Sequence, residues 1–134
     1  MSARSKARKR ALDVLYSSEM RNRSTVDALE DQAEAGQVND YTVTLVEGVT
    51  EHRERLDVVI STYAKGWTLD RMPAVDRNVL RMATFEVLYV DDVPNAVAVS
   101  EALNLVRDLS TDESPAFVNG VLGNIVRDHD LLAR

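Results

Sequence analysis

Cysteine is absent from the 134 residues, so disulfides, thiol nucleophiles and cysteine-ligated metal sites are excluded. Glycine and proline are scarce, with five and three residues, and the one Asn-Gly pair lies inside a segment of helical period. No apolar run approaches the roughly 20 residues that span a bilayer, and the N-terminus lacks the apolar stretch of a signal peptide. These absences predict an all-α protein that stays in the cytoplasm and away from membranes.

Residues suited to catalysis are also few. The two histidines are His52, on an apolar helical stripe, and His129, near the end of the sequence, and both positions favour a structural role. There is no glycine-rich phosphate loop, no Gly-x-Ser-x-Gly elbow and no paired-histidine zinc motif. We therefore expect no enzymatic activity, no catalytic residue, no cofactor and no metal site.

Positive charge is concentrated at the N-terminus. The first ten residues hold five of the sixteen basic residues and no acid, whereas the remainder has eleven basic against twenty-two acidic residues, a formal charge of −11. Because an acidic body repels a polyanion, this narrow basic end predicts contact with a few phosphates of a nucleic acid. The alternative is a frayed basic terminus that only aids solubility. The predicted contact residues are Arg4, Lys6, Arg8, Lys9 and Arg10.

Tyr16 lies about two helical turns after this basic segment. An aromatic ring beside cations is typical of proteins that stack unpaired RNA bases, although a half-buried core tyrosine explains the residue equally well. The acidic remainder of the chain suits the docking of a basic protein. The sequence therefore predicts an RNA-contacting end and a basic protein partner.

Apolar periodicity predicts helices along the first half of the chain. The first helix covers residues 5–21, Ser24 caps the second, and Asp40 caps a long apolar stripe with a break near His52. Residues 67–73 form a connector between two subdomains of one domain (1–134), an N-terminal one of residues 1–66 and a C-terminal one of residues 74–134.

The second half of the chain shows a different pattern. Residues 75–90 are apolar on nearly every side, as in a helix at the centre of a bundle. Glu86 within this helix needs a partner if it is buried. A further helix covers residues 96–109, and Ser114 with Pro115 predicts a strong helix start with serine as the N-cap.

Five blocks of sequence carry a family resemblance. They are ARKRA (7–11) leading to VLY (14–16), AVDRNVLR (74–81), DVP (92–94), SEA (100–102) and SPAFVNGVL (114–122). In this order and spacing the chain resembles the NusB family of bacterial transcription antitermination factors over essentially its full length. The FVNGVL string is the most specific item, and the connector WTLDRMP (67–73) is similar to the actinobacterial version of the family.

The resemblance implies an all-helical fold of two subdomains, with about seven helices, three N-terminal and four C-terminal. It also implies a role, because family members pair with ribosomal protein S10 (NusE) and bind the boxA element of nascent ribosomal RNA. With other Nus factors they help RNA polymerase read through terminators. The resemblance assigns RNA contacts to the basic N-terminus, Tyr16 and Glu113, and it places Asp76 near the joint surface of partner and RNA. Phe117 and Asn119 are assigned to core packing and helix–helix hydrogen bonding.

Two other functions are compatible with the sequence. Similar domains precede ribosomal RNA cytosine methyltransferases and help them bind RNA, but no cofactor-binding strand–helix pattern occurs here, so a free-standing factor is expected. The second alternative is a structural helical protein whose basic end is incidental. Some family members form homodimers that hide the RNA-binding face, and the sequence leaves the oligomeric state and the S10-contacting surface open.

Overall fold

The computed structural model describes residues 2–36 and 39–133. Within these ranges the chain is all-helical with no β-strand, as the sequence predicted. None of the helices described is long and apolar enough to cross a membrane. One 3₁₀ turn, Leu69–Arg71, lies between the fourth and fifth α-helices. The α-helices are α1 (Ala3–Met20), α2 (Thr25–Glu34), α3 (Asp40–Glu51), α4 (Arg53–Tyr63), α5 (Ala74–Tyr89), α6 (Asn95–Leu109), α7 (Ser114–Arg127) and α8 (His129–Leu132).

The chain divides into two compact units, Met1–Glu51 and His52–Arg134. The sequence predicted the division at the connector 67–73, with α4 in the first unit. In the structure α4 belongs to the second unit. The reason is packing, because α4 lies against α5 and α7. The apolar period of residues 41–63 predicted a break near His52, where α3 and α4 do separate, but it does not tell which neighbour each half faces.

Of the three N-cap residues predicted from the sequence, one caps its helix in the structure and two do not. The hydroxyl of Ser24 accepts the N–H of Asp27 at 3.1 Å, as predicted. The prediction for Asp40 is wrong: the side chain of Asn39 accepts the N–H of Thr42 at 3.0 Å, and Asp40 is the first residue of α3. The prediction that Ser114 caps α7 is also wrong. Ser114 is the first residue of α7, after Glu113, and its hydroxyl donates to Asp76 on α5.

The first unit consists of α1, α2 and α3, with α1 packed against both of the others. Small and branched apolar side chains fill the space between α1 and α3. The buried hydroxyl of Thr42 donates to the backbone carbonyl of Ala7 at 3.1 Å, which fixes α3 against the N-terminal half of α1. The buried apolar residues of α1 and α3 are Ala7, Ala11, Leu12, Val14, Leu15, Leu45, Val46 and Val49.

The second unit is built around α5, which packs against α4, α6 and α7. Twelve of the sixteen residues of α5 are buried, including Glu86, which confirms that residues 75–90 form a central helix. The buried guanidinium of Arg81 donates from Nε to Oδ1 of Asp57 at 2.8 Å and from Nη2 to Oδ2 at 3.1 Å. This two-point ion pair joins α5 to α4.

Candidate nucleic-acid interface

The basic segment predicted to contact phosphates is the first part of α1. Ser2 caps this helix through a hydrogen bond from the N–H of Ser5 at 3.0 Å, so the cations are held on a helix and not on a frayed end. Arg4 and Lys6 are exposed, whereas Lys9 and Arg10 are half-buried. Cations are unfavourable at the positive end of the helix dipole, and no acid occupies the first turn. A bound anion would relieve this repulsion.

Arg8 differs from its neighbours because only 3% of its surface is exposed. Its guanidinium carbon lies 5.6 Å from the ring centroid of Tyr41 on α3, and that of Arg4 lies 4.3 Å from the same centroid. Such cation–π contacts between α1 and α3 stabilise the packing of the unit. Arg8 therefore packs inside the first unit, unlike the exposed cations beside it in the sequence.

Tyr16 is 41% exposed on α1, which is compatible with stacking as well as with partial burial. Between it and the first turn, the ammonium of Lys9 donates to both carboxylate oxygens of Asp13, at 2.7 and 2.9 Å. This bond holds one cation in place on the helix surface. The first unit thus presents Arg4, Lys6, Lys9 and Arg10 together with one exposed aromatic ring.

The second unit contains a groove of about 350 Å³ beside the N-terminus of α7. Trp67, 52% exposed, and the half-buried Phe117 face each other there, with ring centroids 5.8 Å apart and planes tilted by 59°. Glu113 and Arg71 also line the groove. Phe117, expected in core packing, is only half-buried, and Asn119, expected in helix–helix hydrogen bonding, is exposed. Trp67 was not among the contact residues predicted from the sequence, although a lone tryptophan in a connector was a signal.

Asp76 lies in the first turn of α5 and also lines this groove, with 2% of its surface exposed. The hydroxyl of Ser110 donates to Oδ1 at 2.6 Å and the hydroxyl of Ser114 donates to Oδ2 at 2.8 Å. These bonds tie both ends of the loop that carries Glu113 to α5. The structure brings Asp76 and Glu113 together at one groove, with Asp76 holding the loop and Glu113 exposed on it.

The histidines take structural positions in the second unit. The ring of His52 stacks on that of Tyr89, with centroids 4.1 Å apart, and Nδ1 of His129 lies 3.2 Å from the carboxylate of Asp130. Among the described residues, no group of three or more histidine, aspartate or glutamate side chains is placed to hold a metal ion.

The geometry is that of a small all-helical protein whose first helix begins with a cluster of cations. The model of the NusB family matches residues 5–127, so the chain belongs to the NusB family. A protein of Nocardioides sp. named Transcription antitermination protein NusB is 64% identical over 135 residues, covering 99% of this chain and all of that protein. The family resemblance drawn from the sequence is confirmed.

Solved structures of NusB proteins have the same fold. A structure of T. maritima NusB aligns with a TM-score of 0.87 and 31% identity over 96% of this chain and 93% of that one. A crystal structure of the antitermination factors NusB and NusE in complex with double-stranded RNA aligns with a TM-score of 0.82 and 26% identity, covering 92% and 96% of the two chains. The all-helical NusB-like fold expected from the sequence is thereby confirmed.

Proposed function

We propose that this protein is a cytoplasmic transcription antitermination factor that binds the boxA element of nascent ribosomal RNA together with ribosomal protein S10 (NusE). The concentration of cations on the first part of α1, in an otherwise acidic chain, is the observation that carries this proposal. Membership of the NusB family and the fold shared with a NusB that was crystallised with NusE and RNA support it. The protein then acts with RNA polymerase and other Nus factors and catalyses no reaction.

The cations of α1 contact phosphates in this proposal, and Tyr16 stacks on a base. Exposed Lys6 shares one face of α1 with half-buried Lys9 and Arg10, so these three can reach a strand lying along that face. Arg4, beside Tyr41, adds charge at the start of the helix. Arg8 holds α1 against Tyr41, and its buried positive charge adds to the attraction of phosphates by the exposed cations. Each phosphate contact made with single-stranded RNA contributes about −0.7 to the slope of log K against log salt concentration.

The groove of the second unit supplies a second kind of contact. The rings of Trp67 and Phe117 offer apolar faces that suit an unpaired base, and the carboxylate of Glu113 can accept a hydrogen bond from an exocyclic amine. Asp76 is buried and positions the loop that carries Glu113, beneath the surface that S10 approaches in this proposal. Recognition of the partner near Asp76 then depends on the serine hydroxyls that hold this loop.

The test is a fluorescence-anisotropy titration of labelled boxA-type RNA with and without purified S10, at two salt concentrations. The double variant Lys6→Ala/Arg10→Ala is compared with Arg21→Ala/Arg107→Ala, which removes the same charge from exposed positions elsewhere. We expect S10 to tighten binding by the wild type. The first double variant should weaken binding and reduce the salt slope by about 1.4, the value for two lost phosphate contacts.

Two outcomes contradict the proposal. Equal losses in the two double variants would show that net charge, and not the α1 surface, governs binding. Absent or salt-independent RNA binding by a monomeric protein, unchanged by S10, would favour the structural helical protein. Light scattering during the titration separates the second outcome from a homodimer that hides the RNA-binding face.

A further inference from the structure

The first unit segregates its charges between helices. Helix α2 contains four acidic residues and α3 contains three, and neither helix contains a basic residue. Asp31 of α2 is paired with Arg23, whose Nη1 lies 2.6 Å from its carboxylate. The cations of the same unit lie at the start of α1. RNA binding explains the cationic helix, and the S10 contact proposed near Asp76 lies in the second unit, so neither role uses α2 or α3.

A groove of about 280 Å³ lies between these two acidic helices. Val26 is 61% exposed at its edge, and the half-buried Leu29 and buried Val46 form its apolar floor. Glu47 and Glu51 follow one rim, one helical turn apart, and both are exposed. The groove thus combines an accessible apolar anchor with a row of carboxylates.

We propose that the α2–α3 groove, lined by Val26, Leu29, Val46, Glu47 and Glu51, docks a basic amphipathic helix of a protein partner. An amphipathic helix places apolar residues at successive turns into such a groove, while lysine or arginine residues at its edges meet the carboxylates. Charge complementarity selects this occupant, because an acidic rim repels the phosphates of RNA. The groove is therefore a second interaction surface, of opposite charge to the start of α1.

A second copy of this chain does not fit the groove. The one strongly cationic segment of the sequence is the start of α1, and its apolar residues Ala7, Ala11 and Leu12 are buried in their own unit. Without unfolding, α1 can offer cations to the groove but no apolar face. The occupant therefore comes from a different protein.

The experiment is an anisotropy titration of the full chain with a fluorescein-labelled synthetic helical peptide that has leucine on one face and lysine on the other. A peptide of the same composition in scrambled order, without an apolar face, controls for charge alone. Val26→Glu is paired with Val58→Glu on α4, because Val58 has a matching exposure of 65%. Glu47→Lys/Glu51→Lys is paired with Asp91→Lys/Asp108→Lys, which changes the net charge equally at exposed sites in the second unit.

We expect Val26→Glu and Glu47→Lys/Glu51→Lys each to weaken peptide binding on the order of tenfold, while both control variants bind like the wild type. The scrambled peptide should bind weakly to every variant. Equal effects in the test and control variants, or equal binding of the two peptides, would overturn the proposal. No RNA is present in this titration, so its result is independent of the proposed antitermination role, and Val26→Glu should leave boxA binding unchanged.

Discussion

The hydroxyl of Ser114 donates a hydrogen bond to Oδ2 of Asp76 at 2.8 Å, which joins the first residue of α7 to the first turn of α5. Both groups are almost fully buried, with 1% and 2% of their surfaces exposed. Ser114 also meets the hydroxyl of Thr111 at 2.8 Å, so one serine links the aspartate to the loop. The geometry of the groove beside Glu113 therefore depends on a polar network beneath it.

Removal of this hydroxyl should destabilise the second unit. Ser114→Ala leaves one oxygen of a buried carboxylate without its donor, and we expect a loss of about 2 kcal/mol in the free energy of unfolding. Ser110→Ala is the matched comparison, because Ser110 donates to the other oxygen but is only half-buried, so its loss should be smaller. Urea denaturation followed by circular dichroism measures both. Equal stability of Ser114→Ala and the wild type would rule out a structural role for the bond.

Arg8 should matter for stability and Arg10 for RNA. Arg8→Ala removes a buried cation–π partner and the packing of its aliphatic stem, so we expect a loss of about 1–2 kcal/mol in the free energy of unfolding. Arg10→Ala changes a half-buried position and should cost less than 0.5 kcal/mol, within the range of about ±0.5 for surface substitutions. Thermal denaturation of the two variants side by side gives the comparison. A destabilised Arg10→Ala with an unaffected Arg8→Ala would contradict the assignment.

The hydroxyl of Tyr63 should make stability depend on pH through Asp128. It donates to Oδ2 of Asp128 at 2.6 Å, and this bond, together with Arg127, lowers the pKa of Asp128 below its ordinary value. A carboxylate with a lowered folded-state pKa stabilises the fold above its unfolded pKa, near 4, and this stability is lost as the pH falls through the folded pKa. Tyr63→Phe should therefore destabilise the protein at neutral pH, with a difference from the wild type that shrinks below about pH 4.

Carboxyl carbon NMR titration provides the direct measurement of this effect. The pKa of Asp128 should rise in Tyr63→Phe, whereas the pKa of Asp70, which is lowered by a hydrogen bond from Thr68, should stay as in the wild type. If the Asp128 pKa is the same with and without the Tyr63 hydroxyl, the bond has no electrostatic consequence in solution.

Loss of Asp57 should remove the two-point ion pair from the buried guanidinium of Arg81. Arg81 is 4% exposed and its guanidinium makes two hydrogen bonds to Asp57, so Asp57→Ala removes both. We expect a loss of about 2 kcal/mol in the free energy of unfolding, because the buried guanidinium loses two charge-assisted hydrogen bonds, although Asp57 itself is 28% exposed. The double variant Asp57→Ala/Arg81→Met should recover part of the lost free energy of unfolding. Chemical denaturation of the single and double variants tests this, and an undiminished loss in the double variant would refute the ion-pair explanation.

The single tryptophan offers an internal probe of the proposed base-stacking groove. Trp67 is half-exposed opposite Phe117, so an RNA base stacked there should quench its fluorescence. Trp67→Ala should weaken RNA binding by about 1–3 kcal/mol, whereas Trp67→Phe, which keeps an aromatic face, should lose less. Unchanged fluorescence on saturation with boxA-type RNA, with full affinity in Trp67→Ala, would place the bases elsewhere.

The sequence by itself determined the all-α fold, most helix positions and the family of this protein. Scarce glycine, an Asn-Gly pair that occurs only within a helical period and a 3.6-residue apolar period are local properties, so the helices and the central, buried α5 were predictable. The basic segment on α1 was equally visible, because a run of cations is a property of consecutive residues. Motif order identified the family without any structural information.

Tertiary structure decided which neighbour each side chain meets. Periodicity marks an apolar face but not its partner, so the assignment of α4 to the second unit followed only from its packing on α5. For the same reason the sequence did not show that Arg8 is buried against Tyr41 while Arg4 and Lys6, in the same run of cations, are exposed. Contacts between residues distant in sequence, such as Ser114 with Asp76 across 38 positions, exist only once the helices have packed.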